Sequence, residues 1–221
     1  MKTEQKWING RSCIDVLPEL ETKSVDFIFC DPPYNCKKDY GVCKDDMSPT
    51  EYHDFMQTII TESIRIARKG IAFYVGGNLT KEFMTLMPSE SHLIIVHKRA
   101  VGIMCNNYFL QYHSLFVTAP PIKKCKDLWD DIRLPGEGYF FREKRYPSPG
   151  LTSVELTKKV LSHFTVEGDS VLDPFLGSGT TMVACLELNR NCLGIEIDSK
   201  WEPTYIERLK MNHLKMDAWT T

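Results

Sequence analysis

The chain has 221 residues, 43% of them apolar, enough for one large domain with a sizeable core or two small ones. A formal net charge of −2 excludes binding of nucleic acid through bulk positive charge, so a polyanion would have to be met by local basic patches. No N-terminal run reads as a signal peptide and no apolar stretch reaches bilayer length, so the expectation is a soluble, cytoplasmic protein without a membrane partner. Eight cysteines, none in a C-x-x-C pair, read as reduced and mostly buried thiols. Cys36, Cys43 and His53 match no common zinc spacing, and no metal is expected.

In chain order, strand-like segments fall near Lys6–Asn9, Val25–Cys30, Ile71–Val75, His92–Lys98, His113–Ala119, Ser170–Asp173 and Cys192–Ile197. Several are short apolar runs without polar alternation, as strands buried on both faces should be. The first strong helix follows Ser48, with Pro49 at its first position and Glu51 three residues after the cap. Its apolar face reads Phe55, Met56, Ile59, Ile60 and Ile64, and Gly70 reads as its stop. Thr152 and Glu155 give a second capping-box pattern, followed by Leu156, Val160, Leu161 and Phe164 at helical spacing. A third helix opens in the Gly-Ser-Gly-Thr-Thr run after Leu176, and a last one covers about Trp201–Lys215. Strands alternating with helices predict an open α/β sheet, mostly parallel, with His113–Ala119 as one antiparallel strand. The segment from Ala100 to Pro149, rich in Pro, Gly and Lys, reads as loops carried on the sheet.

Two segments carry chemistry. The first is Val25–Lys38, where an apolar strand runs into Asp31-Pro32-Pro33-Tyr34. Two prolines remove two backbone donors, and residues before proline are pushed to extended conformations. The outcome is a stiff arm holding a carboxylate and an aromatic ring beyond a strand end. The second is Ser170–Asp198: a strand to Asp173, a turn with Gly177 and Gly179, a helix, and a second strand ending near Glu196. Such glycines let backbone approach a ligand, and an acid at the second strand end suits ribose hydroxyls. No Gly-Lys-Ser/Thr follows, so this is not a P-loop. The third glycine of a dinucleotide fingerprint is also missing, and nothing in a nicotinamide oxidoreductase accounts for the Pro-Pro-Tyr arm.

Together, Asp31-Pro32-Pro33-Tyr34 and Phe175-x-Gly177-x-Gly179 resemble the amino-directed DNA methyltransferases that use S-adenosylmethionine. The tetrapeptide precedes the cofactor motif, the permuted order of the beta class, and the likeness covers nearly the whole chain. The resemblance implies a Rossmann-like methyltransferase fold: a mostly parallel seven-stranded sheet with helices on both faces and one antiparallel strand, in a single domain. It implies that Asp31 and the carbonyl of Pro32 accept hydrogen bonds from the target amine, held in place by Pro33, and that Tyr34 stacks on a base flipped from the duplex. Asp173, Phe175, Gly177, Ser178, Gly179, Thr180 and Glu196 would form the cofactor site, with Glu196 at the ribose hydroxyls and Asp173 near the methionine amino group. The starting Asp leans towards adenine N6. Cytosine N4 is the alternative, RNA is a second substrate class, and a non-catalytic nucleic-acid-binding subunit of the same fold is a different reading. A homodimer or second subunit and a cognate restriction enzyme are the further partners it suggests.

Three features depart from the family. Arg11-Ser12 stand where Gly-Asp is usual, and Ser12 hydrogen-bonds more weakly than a carboxylate. Ser148 and Thr152 replace a histidine and a lysine around Pro149. Only about residues 120–147 are available as a target-recognition insertion, with Lys123, Lys124, Lys126, Arg142, Lys144 and Arg145 as candidate phosphate contacts; a solvated basic loop is the competing reading. Trp129 and Tyr139 read as inserting rings or local core, and Asn35–Met47 as a closing loop or a plain linker. The six histidines fall in neither motif and read as core or surface residues.

Overall fold

A computed structural model describes residues 3–37, 42, 45–98, 103–105, 108–132 and 152–219. The strands are β1 (Gln5–Asn9), β2 (Val25–Cys30), β3 (Ala67–Gly76), β4 (His92–His97), β5 (Ile103–Cys105), β6 (Tyr108–Leu110), β7 (Tyr112–Val117), β8 (Leu128–Trp129), β9 (Ser170–Asp173) and β10 (Asn191–Glu196). The helices are α1 (Cys13–Val16), α2 (Pro49–Ile66), α3 (Thr80–Leu86), α4 (Val154–Phe164), α5 (Thr180–Glu187) and α6 (Glu202–Trp219). All seven expected strands form one sheet in the order β1-β10-β9-β2-β3-β7-β4-β8, which the two-residue strand β8 extends to eight strands. As expected, β7 alone among these runs antiparallel to its neighbours, here β3 and β4. β5 and β6 pair with each other as a separate two-stranded ribbon, a hairpin within the segment expected to be loop.

Alternation along each strand divides the core in two. Phe27 and Phe29 of β2 belong to a cluster with residues of α4, α5 and α6. Ile28 and Cys30 belong to the other, with residues of α1, α2 and α3. A strand with apolar residues on both sides needs a helical layer on each face, and that need sets the three-layer architecture.

The Ser48 capping box forms with both of its bonds, and Pro49 occupies the first turn. The end of α2 differs from expectation. The helix stops at Ile66 and Ala67 begins β3, so Gly70 is not its terminator. Gly70 lies instead where the β2–β3 register shifts, with Val25 opposite Ala67 and Phe27 opposite Gly70. Lys23 supplies the cap, its Nζ donating to the carbonyls of Ile64 (3.1 Å) and Ala67 (2.6 Å). The buried stripe of α2 is Tyr52, Met56, Ile59, Ile60, Ser63 and Ile66, while Ile64 faces solvent, because the stripe follows i, i+4, i+7 from Tyr52.

The second capping expectation also shifts. Ser153, not Thr152, caps α4, its hydroxyl accepting from the Leu156 amide at 3.0 Å. Thr152 is thereby released for another partner. No helix among the described residues is long and apolar enough to cross a membrane.

Ser48→Ala removes one orphan-donor partner from the first turn of α2. It is expected to cost about 1 kcal/mol in urea unfolding with an unchanged m-value.

Candidate functional site

The parallel strands β1, β10, β9 and β2 end on one side of the sheet. From β9 the chain passes to β10 on one flank, whereas from β2 it passes to β3 on the other, so connectivity reverses between β9 and β2. In open α/β sheets a ligand crevice forms at such a point, beyond the carboxyl ends of the strands. Asp31, Asp173 and Glu196 follow or terminate β2, β9 and β10 respectively, which places three carboxyl groups at neighbouring strand ends.

The arm beyond β2 is held from several directions. The hydroxyl of Tyr34 donates to Oδ1 of Asp31 at 2.7 Å, and the hydroxyl of Thr152 donates to Oδ2. Tyr52 of α2 donates to the carbonyl of Pro33 at 2.9 Å. The amides of Asn35 and Cys36 both donate to the carboxylate of Asp45, at 2.7 and 2.8 Å, and Asp45 is only 2% exposed. Asn35 also bonds both backbone groups of Met47. The described parts of the 35–47 loop are therefore built around a buried acid, which sets them apart from a plain linker; closure over a base is the other expectation for this loop. The Tyr34 ring packs edge-on against His113, which in turn stacks on Tyr74 with centroids 5.0 Å apart.

The second half is the turn between β9 and α5. Asp173 anchors it: Oδ1 accepts from the Phe175 amide at 2.9 Å and Oδ2 from the Thr181 hydroxyl at 2.5 Å. Glu196 spans the next gap, accepting from the amides of Gly177 (2.7 Å) and Asp198 (2.8 Å). Arg208 of α6, itself buried, donates to the carbonyl and hydroxyl of Ser178 and to the hydroxyl of Thr180. Phe175 packs against Phe55 of α2. Gly177 and Gly179 both have left-handed backbones, at φ 52° and 85°, for different reasons. A Cβ on Gly179 would stand 2.3 Å from the Cβ of Tyr205, whereas one on Gly177 would meet nothing closer than 3.9 Å. One glycine is required by packing, and the other borders open space.

Burial pushes the Asp173 carboxyl up to about 7; the bonds from Thr181 and Phe175 oppose this, and the charges of Asp31 and Glu196 reinforce it. Burial likewise raises Glu196, against the stabilising amides of Asp198 and Gly177.

The remaining sequence-predicted residues that the structure describes lie elsewhere. β7 runs away from the strand-end side, so Lys123, Lys124 and Lys126, between β7 and the start of β8, are not brought to Asp31. Lys123 bonds Ser162 near the end of α4. Arg142, Lys144, Arg145, Tyr139 and Cys43 lie outside the described residues. Trp129 is core, 1% exposed, with the Lys159 ammonium 4.6 Å from its ring centroid. Arg11 pairs with Glu19, and Ser12 caps α1 through the Ile14 amide. His53 pairs with Glu82. Sequence reasoning missed Tyr52, Asp45, Arg208 and His113. Asp45 sits in a Lys/Asp run that looks like surface, and the others had only helical or strand periodicity to mark them.

Residues 110–207 match the model of the N6/N4 DNA methylase family. Type II methyltransferase M.HpaI of Haemophilus parainfluenzae is 28% identical over 90% of this chain and 72% of its own length. The M1.HpyAVI–S-adenosylmethionine complex superposes with TM-score 0.67 at 20% identity, over 93% of this chain and 98% of that one. The cytosine-N4-specific PvuII DNA methyltransferase gives TM-score 0.69 at 13% identity, over 93% and 87%. The fold is that of the Rossmann-like methyltransferases. Over residues 110–207 the chain matches this DNA methylase family, and the proteins it resembles along most of its length are DNA methyltransferases.

Two outcomes follow for stability. Gly179→Ala combines left-handed strain with a collision and should cost about 3 kcal/mol in urea unfolding, whereas Gly177→Ala should cost only about 1; equal losses would contradict the packing assigned to Tyr205. For Asp173, the unfolded carboxyl titrates near 4 and the folded one near 7. Between those values the folded chain holds the extra proton, so this group's contribution declines as pH rises through that window and is level above about 7. The stability difference between wild type and Asp173→Asn should therefore fall from pH 4 to pH 7; a difference flat in pH would contradict it.

Proposed function

We propose that the protein transfers a methyl group from S-adenosylmethionine to the exocyclic N6 amine of adenine in DNA. The observation that carries this reading is the convergence of the Asp31–Tyr34 arm and the Gly177–Glu196 turn on neighbouring strand ends. The residues present suit the cofactor. Gly177 offers backbone beside open space, and Glu196 presents a carboxylate at the end of β10. Gly10 also borders open space, and its amide bonds the carbonyl of Glu196 at 2.9 Å. Phe175, Gly177 and Glu196 are the proposed contacts, while Asp173, Ser178, Gly179 and Thr180 shape the turn through Thr181, Arg208 and Tyr205. When bound, S-adenosylmethionine supplies an electrophilic methyl group on its sulfonium.

The protein's task is to make a poor nucleophile better. The lone pair of an exocyclic amine is delocalised into the ring. Asp31 and the Pro32 carbonyl, accepting its two hydrogens, draw the nitrogen towards tetrahedral geometry and localise that pair. The gain comes from positioning and from acceptors fixed before the reaction. Tyr34 would leave Asp31 to stack on the base, which must leave the duplex to reach the arm. DNA would approach the strand-end side. The β4–β7 hairpin continues on that side past the Lys98–Gln111 backbone bond towards the β5–β6 ribbon.

The choice of adenine rests on Asp at the head of the tetrapeptide. It is tested by incubating wild type and Asp31→Ala with S-adenosylmethionine and mixed-sequence DNA, followed by mass spectrometry of the nucleosides. N6-methyladenine is expected from wild type, with at least a hundredfold loss in the variant. N4-methylcytosine would keep the clamp and overturn the base. Cofactor binding without a methylated base in DNA would redirect the assay to RNA. Absence of cofactor binding would favour a non-catalytic subunit.

A further inference from the structure

We infer that Thr152 is a positioning residue for the Asp31 carboxylate, taking a place where the family usually has a lysine and giving it a different partner. The inference rests on the function proposed above. Thr152 is 121 residues from Asp31, and its hydroxyl donates to Oδ2. Tyr34, three residues away, donates to Oδ1. The two donors differ in how they are held. Tyr34 belongs to the arm itself, and its hydroxyl is the donor that an amine approaching Oδ1 would displace. Thr152 immediately precedes a fixed helix start: Ser153 is 2% exposed, its hydroxyl accepts from Leu156, and its carbonyl accepts from the Thr157 hydroxyl. Leu156 and Val160 behind it are wholly buried. Thr152 therefore cannot retreat without unravelling the first turn of α4.

The consequence is an assignment of the two carboxylate oxygens. Oδ2 stays bonded to Thr152 through the reaction, and Oδ1 is the oxygen exchanged from Tyr34 to the target amine. A hydroxyl serves here better than a lysine ammonium would. It orients the carboxylate while leaving the negative charge to act on the amine, whereas an ammonium in direct contact would neutralise that charge. Ser153 fits the same account. Its capping side chain fixes the backbone of Thr152 at the distance a short side chain requires.

Thr152→Val keeps the volume and removes the donor; Thr152→Ser keeps the donor. With cofactor saturating, Thr152→Val should lower kcat on DNA about tenfold and leave the dissociation constant for S-adenosylmethionine within about twofold, and Thr152→Ser should stay within about threefold of wild type. An unchanged kcat with weakened cofactor binding in Thr152→Val would overturn the inference, since Thr152 would then act on the cofactor. The second readout needs no turnover. In protein labelled at the aspartate carboxyl carbon, the Asp31 resonance, assigned by its loss in Asp31→Asn, should move in Thr152→Val and return in Thr152→Ser. A resonance unmoved in Thr152→Val overturns the inference whether or not wild type methylates DNA. A moved resonance with no methylation by wild type would sustain it and refute the proposed substrate instead.

Discussion

The pairing of β2 with β9 is the constraint on which the site depends. It joins segments about 140 residues apart and sets Phe27 against Val171 and Ile28 against Leu172. Side chains lock its lower end. The Asp26 amide donates to the Ser170 hydroxyl at 3.0 Å, and both the amide and hydroxyl of Ser170 donate to the Asp26 carboxylate. Because parallel strands share a direction, fixing the ladder at its start fixes which residues stand together at its end. Asp31 and Asp173 become neighbours by register, and Glu196 joins them because β10 continues the same ladder.

Gathering three carboxyl groups at adjacent strand ends is unfavourable by itself. Burial and mutual repulsion both disfavour the charged forms, as the raised Asp173 and Glu196 show. The structure offsets this largely with hydrogen-bond donors, and Lys200 adds a smaller cationic contribution at Glu196. Backbone amides of Phe175, Gly177 and Asp198 and the hydroxyls of Thr181, Tyr34 and Thr152 face these oxygens. Dipoles of this kind stabilise a carboxylate without removing its charge, which suits an acceptor for an amine and a ligand for hydroxyl groups. The same donors bind the turn and the arm into fixed shapes, so electrostatic compensation and preorganisation are one arrangement.

Much of this was legible in the sequence, for reasons particular to each element. The Asp-Pro-Pro-Tyr arm is visible because prolines have few uses at the end of a buried strand. The capping box at Ser48 is visible because its bonds are local. The Gly177–Gly179 turn is visible as a motif, but the distinct reasons for the two glycines are not, since one depends on Tyr205 from a distant helix. Long-range polar partners were illegible throughout. Thr152 looked like half of a capping box, and only the structure shows Ser153 in that role with Thr152 turned to Asp31. Gly70 looked like a helix stop, yet a lysine 44 positions from Ala67 caps α2 and leaves the glycine for a strand bulge. Lys123 and Lys124 read as phosphate contacts with no place in the fold, and the direction of β7 sets them away from the strand-end side. Strand direction follows from pairing, and no local pattern encodes it.

The central claim is that the two motifs divide the work, the arm acting on the amine and the turn holding the cofactor. Calorimetric titration of S-adenosylmethionine into wild type, Asp31→Ala and Glu196→Gln tests that division without any DNA. The account predicts that Asp31→Ala binds within about threefold of wild type and that Glu196→Gln loses at least tenfold, the cost of one charge-assisted hydrogen-bond acceptor. Equal affinity in wild type and Glu196→Gln, with loss of binding in Asp31→Ala, would contradict it.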